Sequence, residues 1–241
     1  YLESPTNPAL DLVDLKWASS FAQEHDLILI VDNCFATPYL QQPLKLGADI
    51  VIHSATKFID GQGRVMGGAV IGRTDLIEEV YQFCRATGPA ISPFNAWVLS
   101  KSLETLSLRM DRHCENALKV AKHLQEHKKV ESVKYPFLDT HPQHEIAKSQ
   151  MTQGGGLVSF KLNGDLESGV NFLNSLKMSS LTANLGDSRT IVSHPASTTH
   201  AKLSEEERLE VGISPNLLRI SVGLESVEDI IADLNEGLSS L

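Results

Sequence analysis

The run Leu27-Ile28-Leu29-Ile30-Val31 constrains this chain more than any other stretch. Five consecutive apolar residues cannot form a strand with one wet face, and the run is too short for a buried helix. It reads as a strand covered on both sides, the pattern of a parallel sheet flanked by helices. It ends in Asp32-Asn33, and two more short runs follow, Ala48-Asp49-Ile50-Val51-Ile52 and Gly67-Gly68-Ala69-Val70-Ile71. Ahead of them, residues 11–24 carry Leu12, Leu15, Ala18, Phe21 and Ala22 at helical spacing, with Asp11 suited to the N-terminal end. Strands separated by helices or long loops predict an α/β fold whose principal sheet is mainly parallel.

Residues 93–127 read as helix with a break near residues 109–112, and after Val130 the texture changes. Residues 130–135 and 156–162 look like half-exposed strands, alternating with helical patterns at 166–176 and 227–238. The expected division is a large domain over residues 1–110 and a smaller C-terminal α+β domain over residues 111–241. The 241 residues carry a formal charge of −9, which disfavours a nucleic-acid or anionic-membrane partner. No apolar run approaches the roughly 18 residues of a spanning helix. Cys34, Cys84 and Cys114 are odd in number and far apart, so they read as reduced thiols of a cytoplasmic protein. The chain opens at Tyr1, inside what reads as a structured motif, and the expectation is a piece of a longer polypeptide.

Ligand sites of open α/β sheets lie at the carboxyl ends of the strands. Asp32 ends one predicted strand, and His53-Ser54-Ala55-Thr56-Lys57 follows another. In a parallel sheet an acid, two hydroxyls and an amine then converge on one edge. Pyridoxal 5'-phosphate asks for that set: a carboxylate to keep its ring nitrogen protonated, donors for its phosphate, and a lysine for its aldehyde. The same spacing is compatible with Asp32 capping a loop and Lys57 standing in solvent, since any α/β enzyme can place such residues there.

At Glu3-Ser4-Pro5-Thr6-Asn7-Pro8, Val31-Asp32-Asn33, Ser54-Ala55-Thr56-Lys57 and Leu218-Arg219-Ile220-Ser221-Val222-Gly223-Leu224-Glu225, the sequence resembles the cystathionine γ-synthase family. These are the pyridoxal-phosphate enzymes of Cys/Met metabolism with fold type I, and the resemblance runs the whole chain in order. It implies that Lys57 binds the cofactor covalently and then moves protons as the catalytic base. Asp32 is implied on the pyridine nitrogen, Asn7 near the ring hydroxyl, and Ser54 and Thr56 on the phosphate. Arg219 is implied to bind the substrate carboxylate, a task that suits a guanidinium fork. In this family a glycine-containing phosphate loop, a ring-stacking aromatic and residues donated by a neighbouring subunit lie upstream of these motifs. The resemblance also implies a homo-oligomer, a dimer of dimers.

The stretch Thr182-Ala183-Asn184-Leu185-Gly186-Asp187-Ser188-Arg189 resembles the family's substrate-side loop. Asn184 stands where many relatives have a serine supporting the carboxylate-binding arginine, and an amide can donate a similar bond. Ala183 stands where relatives that handle cystathionine often carry a glutamate, which favours a small nucleophile such as sulfide. Residues 58–68, with Pro93-Phe94-Asn95-Ala96-Trp97, look most like the O-succinylhomoserine sulfhydrylase branch. The implied reaction is γ-replacement on an O-succinyl or O-acetyl homoserine by sulfide, giving homocysteine in methionine biosynthesis. Cystathionine γ-synthase and methionine or cystathionine γ-lyase activities are the alternatives, and a truncated, non-catalytic fragment is the alternative of another class.

Other residues invite chemistry and are assigned blander roles. His141 with His144, and His194 with His200, lack the helical ligand spacing and the partnering carboxylate of a metal site, so loop or pocket roles are expected. Gly61-Gln62-Gly63 lacks the strand-turn-helix context of a dinucleotide loop. Cys34 is expected as a buried neutral thiol, and Glu205-Glu206-Glu207 as the first turn of a helix capped by Ser204.

Overall fold

A computed structural model describes residues 1–241. Its elements in chain order begin with strand β1 (Leu2–Glu3), helix α1 (Leu15–Glu24), β2 (Ile30–Asp32), α2 (Thr37–Leu40), β3 (Ile50–Ser54) and β4 (Gly68–Gly72). Three helices follow: α3 (Thr74–Thr87), α4 (Pro93–Leu103) and α5 (Leu106–Glu126). The remainder is β5 (Val130–Lys134), α6 (His144–Gln150), β6 (Leu157–Leu162), α7 (Leu166–Ser175), β7 (Ser180–Leu181), β8 (Ile191–Ser193), α8 (Glu205–Glu210), β9 (Leu217–Ser221) and α9 (Val227–Ser239). No helix is long and apolar enough to cross a membrane.

Two sheets organise the chain. The first has the order β1-β2-β3-β4, with β1, β2 and β3 parallel and β4 antiparallel at one edge. The expected α/β architecture is present, with a mixed rather than wholly parallel sheet. Its register sets Glu3 opposite Asp32 and Asp32 opposite Ile52, so the carboxyl ends of three strands finish side by side at Glu3, Asp32 and Ser54. The second sheet has the order β5-β6-β9-β8-β7, antiparallel except for β7 with β8. Its central strand β9 pairs Arg219 with Ser159 on one side and Ser193 on the other.

Several elements differ from the pattern of the sequence. Helix α1 begins at Leu15 rather than near Asp11, because Asp14 is the residue whose carboxylate accepts the Lys16 and Trp17 amides at 3.0 and 3.1 Å. Leu27 and Ile28 precede β2 and are exposed, while Leu29 and Val31 are buried. The hydrophobic run is longer than the paired strand, since pairing extends only over residues matched by β1 and β3. The helical stretch breaks at Glu104-Thr105, not at 109–112, and α5 runs uninterrupted through Met110. Strand β6, expected half-exposed, is almost wholly buried because β5 and β9 flank it and helices cover it. Helix α3 has no counterpart in the sequence reading, and none of its residues is buried. Helix α8 has the expected Ser204 cap, closed as a reciprocal capping box with Glu207.

Apolar clusters assign the packing. Leu15, Ala18 and Ala22 of α1 pack on Val31 and Val51 of the first sheet. Val120 and Leu124 of α5, Phe172 of α7, and Ile230 and Leu234 of α9 pack on Phe160 and Leu218 of the second, each such buried side chain contributing about 1.5–3 kcal/mol. Phe160 and Phe172 meet edge to face at 5.7 Å. Between the sheets Leu10, Phe35, Phe58, Met110, Leu157 and Leu185 form a third cluster with members from both halves. This cluster fixes the second sheet against the strand ends of the first.

Asp233 of α9 holds the chain just before β7, accepting the amides of Lys177, Met178 and Ser179 at 2.7, 2.9 and 2.9 Å. Burial raises its pKa, but these donors outweigh the burial and hold the carboxyl below its ordinary value. A depressed folded-state pKa stabilises the fold above the unfolded value and loses that contribution as pH falls through the folded one. Asp233→Ala, which strands three amides, should cost about 2–4 kcal/mol at neutral pH. In urea unfolding the gap between wild type and variant should narrow as pH is lowered from about 7 towards about 3. A gap that stays constant over that range would contradict the assignment.

Candidate active site

Asn7, Asp32, Ser54, Lys57 and Arg219 line one cavity of about 260 Å³, at the carboxyl edge of the first sheet where the second sheet meets it. Asn184 reaches the same place through Lys57, whose Nζ donates to Asn184 Oδ1 at 2.7 Å. Thr56 is the exception among the residues singled out from sequence. It does not line the cavity, and its hydroxyl exchanges bonds with Gly67, accepting the amide at 3.1 Å and donating to the carbonyl at 3.2 Å.

Lys57 lies in a wide helical turn, Ala55–Ile59, directly after β3. The backbone leaves helical geometry at Lys57 (φ −87°, ψ −130°). The carbonyls just past this kink are capped by Arg109, which donates to Phe58 O at 2.6 Å and Ile59 O at 3.0 Å. Arg109 also reaches Ser102 O at the end of α4, so a buried guanidinium ties the lysine-bearing turn to the α4–α5 junction. Gly61 permits this, since its φ is +70° and a Cβ there would collide with the Arg109 guanidinium. Nothing in the local sequence marks Arg109 for this task, because its partners lie about fifty residues away.

The loop between β7 and β8 closes the cavity from the other sheet. Gly186 (φ +75°) sits against the Lys57–Phe58 backbone, where a Cβ would come within 2.7 Å of the Phe58 nitrogen. Its amide donates to Ser221 Oγ at 2.8 Å, which pins the loop to β9. On the opposite side Asp32 accepts the Tyr1 hydroxyl at 3.0 Å and the Cys34 amide at 3.1 Å. Cys34 Sγ accepts the Ser54 amide at 2.7 Å, bracing the ends of β2 and β3 together. Burial, reinforced by Asp32, pushes the Cys34 thiol up to about 12, so it is neutral at physiological pH.

The electrostatics centre on Arg219. It is 5% exposed and no carboxylate pairs with it. Nη1 donates to Asn7 Oδ1 at 2.8 Å and Nη2 to the carbonyls of Ala183 and Asn184 at 3.2 Å, while Nε has no partner. Burial pulls its pKa down to about 10, which leaves it protonated at neutral pH. A buried cation with an orphaned donor is costly without an anion to meet it. Lys57 shares the cavity, and its pKa is lowered first by burial and then by the Arg219 charge. More of the amine is therefore neutral, and able to act as nucleophile or base, than in a lysine in solvent.

Several cavity residues carried no individual signal in the sequence. Glu3, Phe35, Leu185, Pro195 and Thr199 all line it. His200 does too, whereas His194 is an internal brace bonded to Ser197 Oγ and Pro215 O. His141 and His144 lie elsewhere, bonded to the carbonyls of Leu10 and Pro136.

Comparison with known proteins bears on this geometry. The family described as Cys/Met metabolism PLP-dependent enzyme matches residues 1–239. An O-succinylhomoserine sulfhydrylase of Pseudomonas aeruginosa is 49% identical over the whole chain, which covers 60% of that protein. An L-methionine gamma-lyase of Fusobacterium nucleatum subsp. polymorphum is also 49% identical, with the chain covering 62% of it. The crystal structure of cystathionine gamma synthase from Xanthomonas oryzae pv. oryzae, in complex with aminoacrylate and cysteine, superposes with a TM-score of 0.95 at 40% identity, over 99% of this chain and 62% of that one. The chain thus spans about three fifths of the length of these relatives. The cavity suits the cofactor in the family's description: a partly desolvated lysine, and a carboxylate and a serine at adjoining strand ends, with an orphaned guanidinium donor beside them. On the family match and these relatives, this chain belongs to the PLP-dependent enzymes of Cys/Met metabolism.

Proposed function

We propose that this chain is the lysine-bearing part of an enzyme that replaces the γ-succinyloxy group of O-succinyl-L-homoserine with sulfide, releasing succinate and giving homocysteine. The observation that carries the reading is Arg219, a buried cation without a carboxylate partner that faces the same cavity as Lys57. Arg219 receives the α-carboxylate of an amino-acid substrate, with Nε free to donate and Asn7 and the 183–184 carbonyls orienting the fork. Lys57 anchors pyridoxal phosphate covalently. Asp32 holds the proton of its ring nitrogen, Asn7 lies by the ring hydroxyl, and Ser54, with Thr56 once released from Gly67, serves the phosphate.

When bound, the cofactor supplies a positively charged ring that accepts electron density from the substrate carbons. Lys57 Nζ would remove the α-proton and relay a β-proton as the γ-ester leaves as succinate, and after sulfide adds at the γ-carbon it would return protons to the β- and α-carbons. Asn184 Oδ1 accepts from that ammonium and keeps it over the reacting carbons. Ala183 puts a methyl group on the cavity wall, leaving room for a small nucleophile and no carboxylate at that position for a second amino group. A γ-lyase acting on methionine is the second reading, favoured by the equal identity to the Fusobacterium enzyme. Measuring homocysteine and 2-oxobutanoate from each substrate separates the two.

The same reading treats residues 1–110 and 111–241 as separate folding units bridged by α5. It treats the working enzyme as a homo-oligomer in the cytoplasm, for which the exposed Tyr81 and Phe83 on α3 and Phe94 and Trp97 on α4 supply apolar contact area.

Borohydride reduction of the full-length enzyme followed by peptide mass mapping should place a pyridoxyl group on Lys57. Lys57→Ala should retain the fold by circular dichroism and lose turnover by at least about a thousandfold. An adduct on another lysine, or ordinary turnover in that variant, would sink the assignment. Arg219→Lys keeps the charge but loses the fork, and kcat/KM should fall about a hundredfold with a much smaller change in kcat. An equal fall in kcat would remove Arg219 from the role of carboxylate receptor.

A further inference from the structure

Part of the cavity wall is built by the segment that joins β8 to α8, and that segment is braced internally. His194 is fully buried and uses both ring nitrogens, Nδ1 with Ser197 Oγ at 2.9 Å and Nε2 with Pro215 O at 2.6 Å. Its carbonyl accepts the amide of Thr198 at 3.1 Å and the Thr198 hydroxyl at 2.8 Å. The His200 amide folds back on Pro195 O at 2.9 Å, and the Leu203 amide on His200 O at 3.1 Å. The result is a fixed turn that sets Thr199 and His200 on the cavity wall. Their side chains bond each other, Thr199 Oγ1 with His200 Nδ1 at 2.8 Å.

Among the cavity residues, Lys57 and Arg219 are committed to the amine and α-carboxylate ends of the substrate. Phe35, Ala183, Leu185 and Pro195 offer no side-chain donor, and Glu3 and Asp32 repel anions. In the reading above Asn7 and Ser54 serve the cofactor, and the Thr199 hydroxyl is engaged with His200, so the side-chain donor this chain leaves for a further anionic group is His200 Nε2–H. With the Thr199 hydroxyl donating to Nδ1, the neutral imidazole presents Nε2–H as a donor, so the pair needs no added proton to hold an anion.

We propose that Thr199 and His200 form a subsite for the carboxylate at the far end of a dicarboxylic acyl ester, so that this wall selects a succinyl over an acetyl leaving group. The inference rests on the γ-replacement reading above and adds to it the residues that recognise the leaving group. The γ-substituent is the end of the substrate that Lys57 and Arg219 do not take, and His200 is the lining donor of this chain left unassigned. The acetyl ester has no distal charge and draws nothing from the pair.

The test uses the full-length holoenzyme as wild type, His200→Leu and His200→Gln, with sulfide and each ester. In the leucine variant, kcat/KM for O-succinylhomoserine should fall about ten- to a hundredfold, the worth of a hydrogen bond to a charged group. For O-acetylhomoserine the change should stay within about twofold, and glutamine should restore part of the succinyl preference. Calorimetric titration with succinate should show the same weakening in the leucine variant, with acetate unaffected. Equal losses on both esters, or no loss on the succinyl ester, would overturn the subsite. A wild type that consumes neither ester would defeat the γ-replacement reading instead. The succinate titration then decides the subsite by itself: weaker binding in the leucine variant sustains it, and unchanged binding removes it.

Discussion

The bond from Arg219 to Asn7 joins the two halves of this molecule at the point where they do chemistry. Arg219 rises from the central strand of the second sheet, and Asn7 lies in the segment leaving the first strand of the other. Placing a guanidinium 5% exposed between the sheets carries a desolvation cost that three neutral acceptors relieve only in part. What remains unsatisfied is directional, a single Nε donor and a net positive charge beside Lys57. Burial first and then that charge lower the pKa of Lys57.

Around this centre, polar and charged side chains are spent on backbone geometry. Arg109 caps two carbonyls beyond the kink at Lys57, and Asp233 gathers three amides before β7. His113, fully buried and pulled down to about 4 chiefly by burial, donates from Nδ1 to Val222 O at 2.7 Å and meets Phe58 edge to face at 5.2 Å. Each of these groups satisfies backbone donors or acceptors that regular secondary structure leaves unpaired. They hold the irregular segments that carry Lys57, Asn184 and the β9 end as firmly as the sheets hold Asp32 and Ser54.

The legible part of the site is the part carried by strand ends. Asp32 and Ser54 close short apolar runs, and a parallel pairing with adjacent registers brings them together. The capping box at Ser204 and Glu207 was equally legible, because capping is decided within four residues. The start of α1 was misplaced from Asp14 to Asp11, since both are acids ahead of an amphipathic run and only backbone geometry distinguishes them. The break expected at residues 109–112 falls instead at Glu104-Thr105. In the fold, Arg109 points inward to carbonyls that sequence spacing cannot show. Helix α3 has no counterpart among the expected elements although Leu76, Ile77, Val80, Tyr81 and Cys84 recur at helical spacing, and none of its residues is buried.

By itself the sequence determined the α/β class, the strand that ends in Asp32, the turn that bears Lys57 and the motifs that tie the chain to its family. These are local matters: apolar runs, caps and short signatures whose physics is settled within a few residues. The tertiary structure decided which side of Arg219 stays unpaired, that Thr56 bonds Gly67, that His194 is a brace while His200 faces the cavity, and that Cys34 links two strand ends. Each depends on contacts between residues far apart in sequence, or on which way a side chain turns within a loop. Burial and direction, rather than residue type, then set the charge and the chemistry.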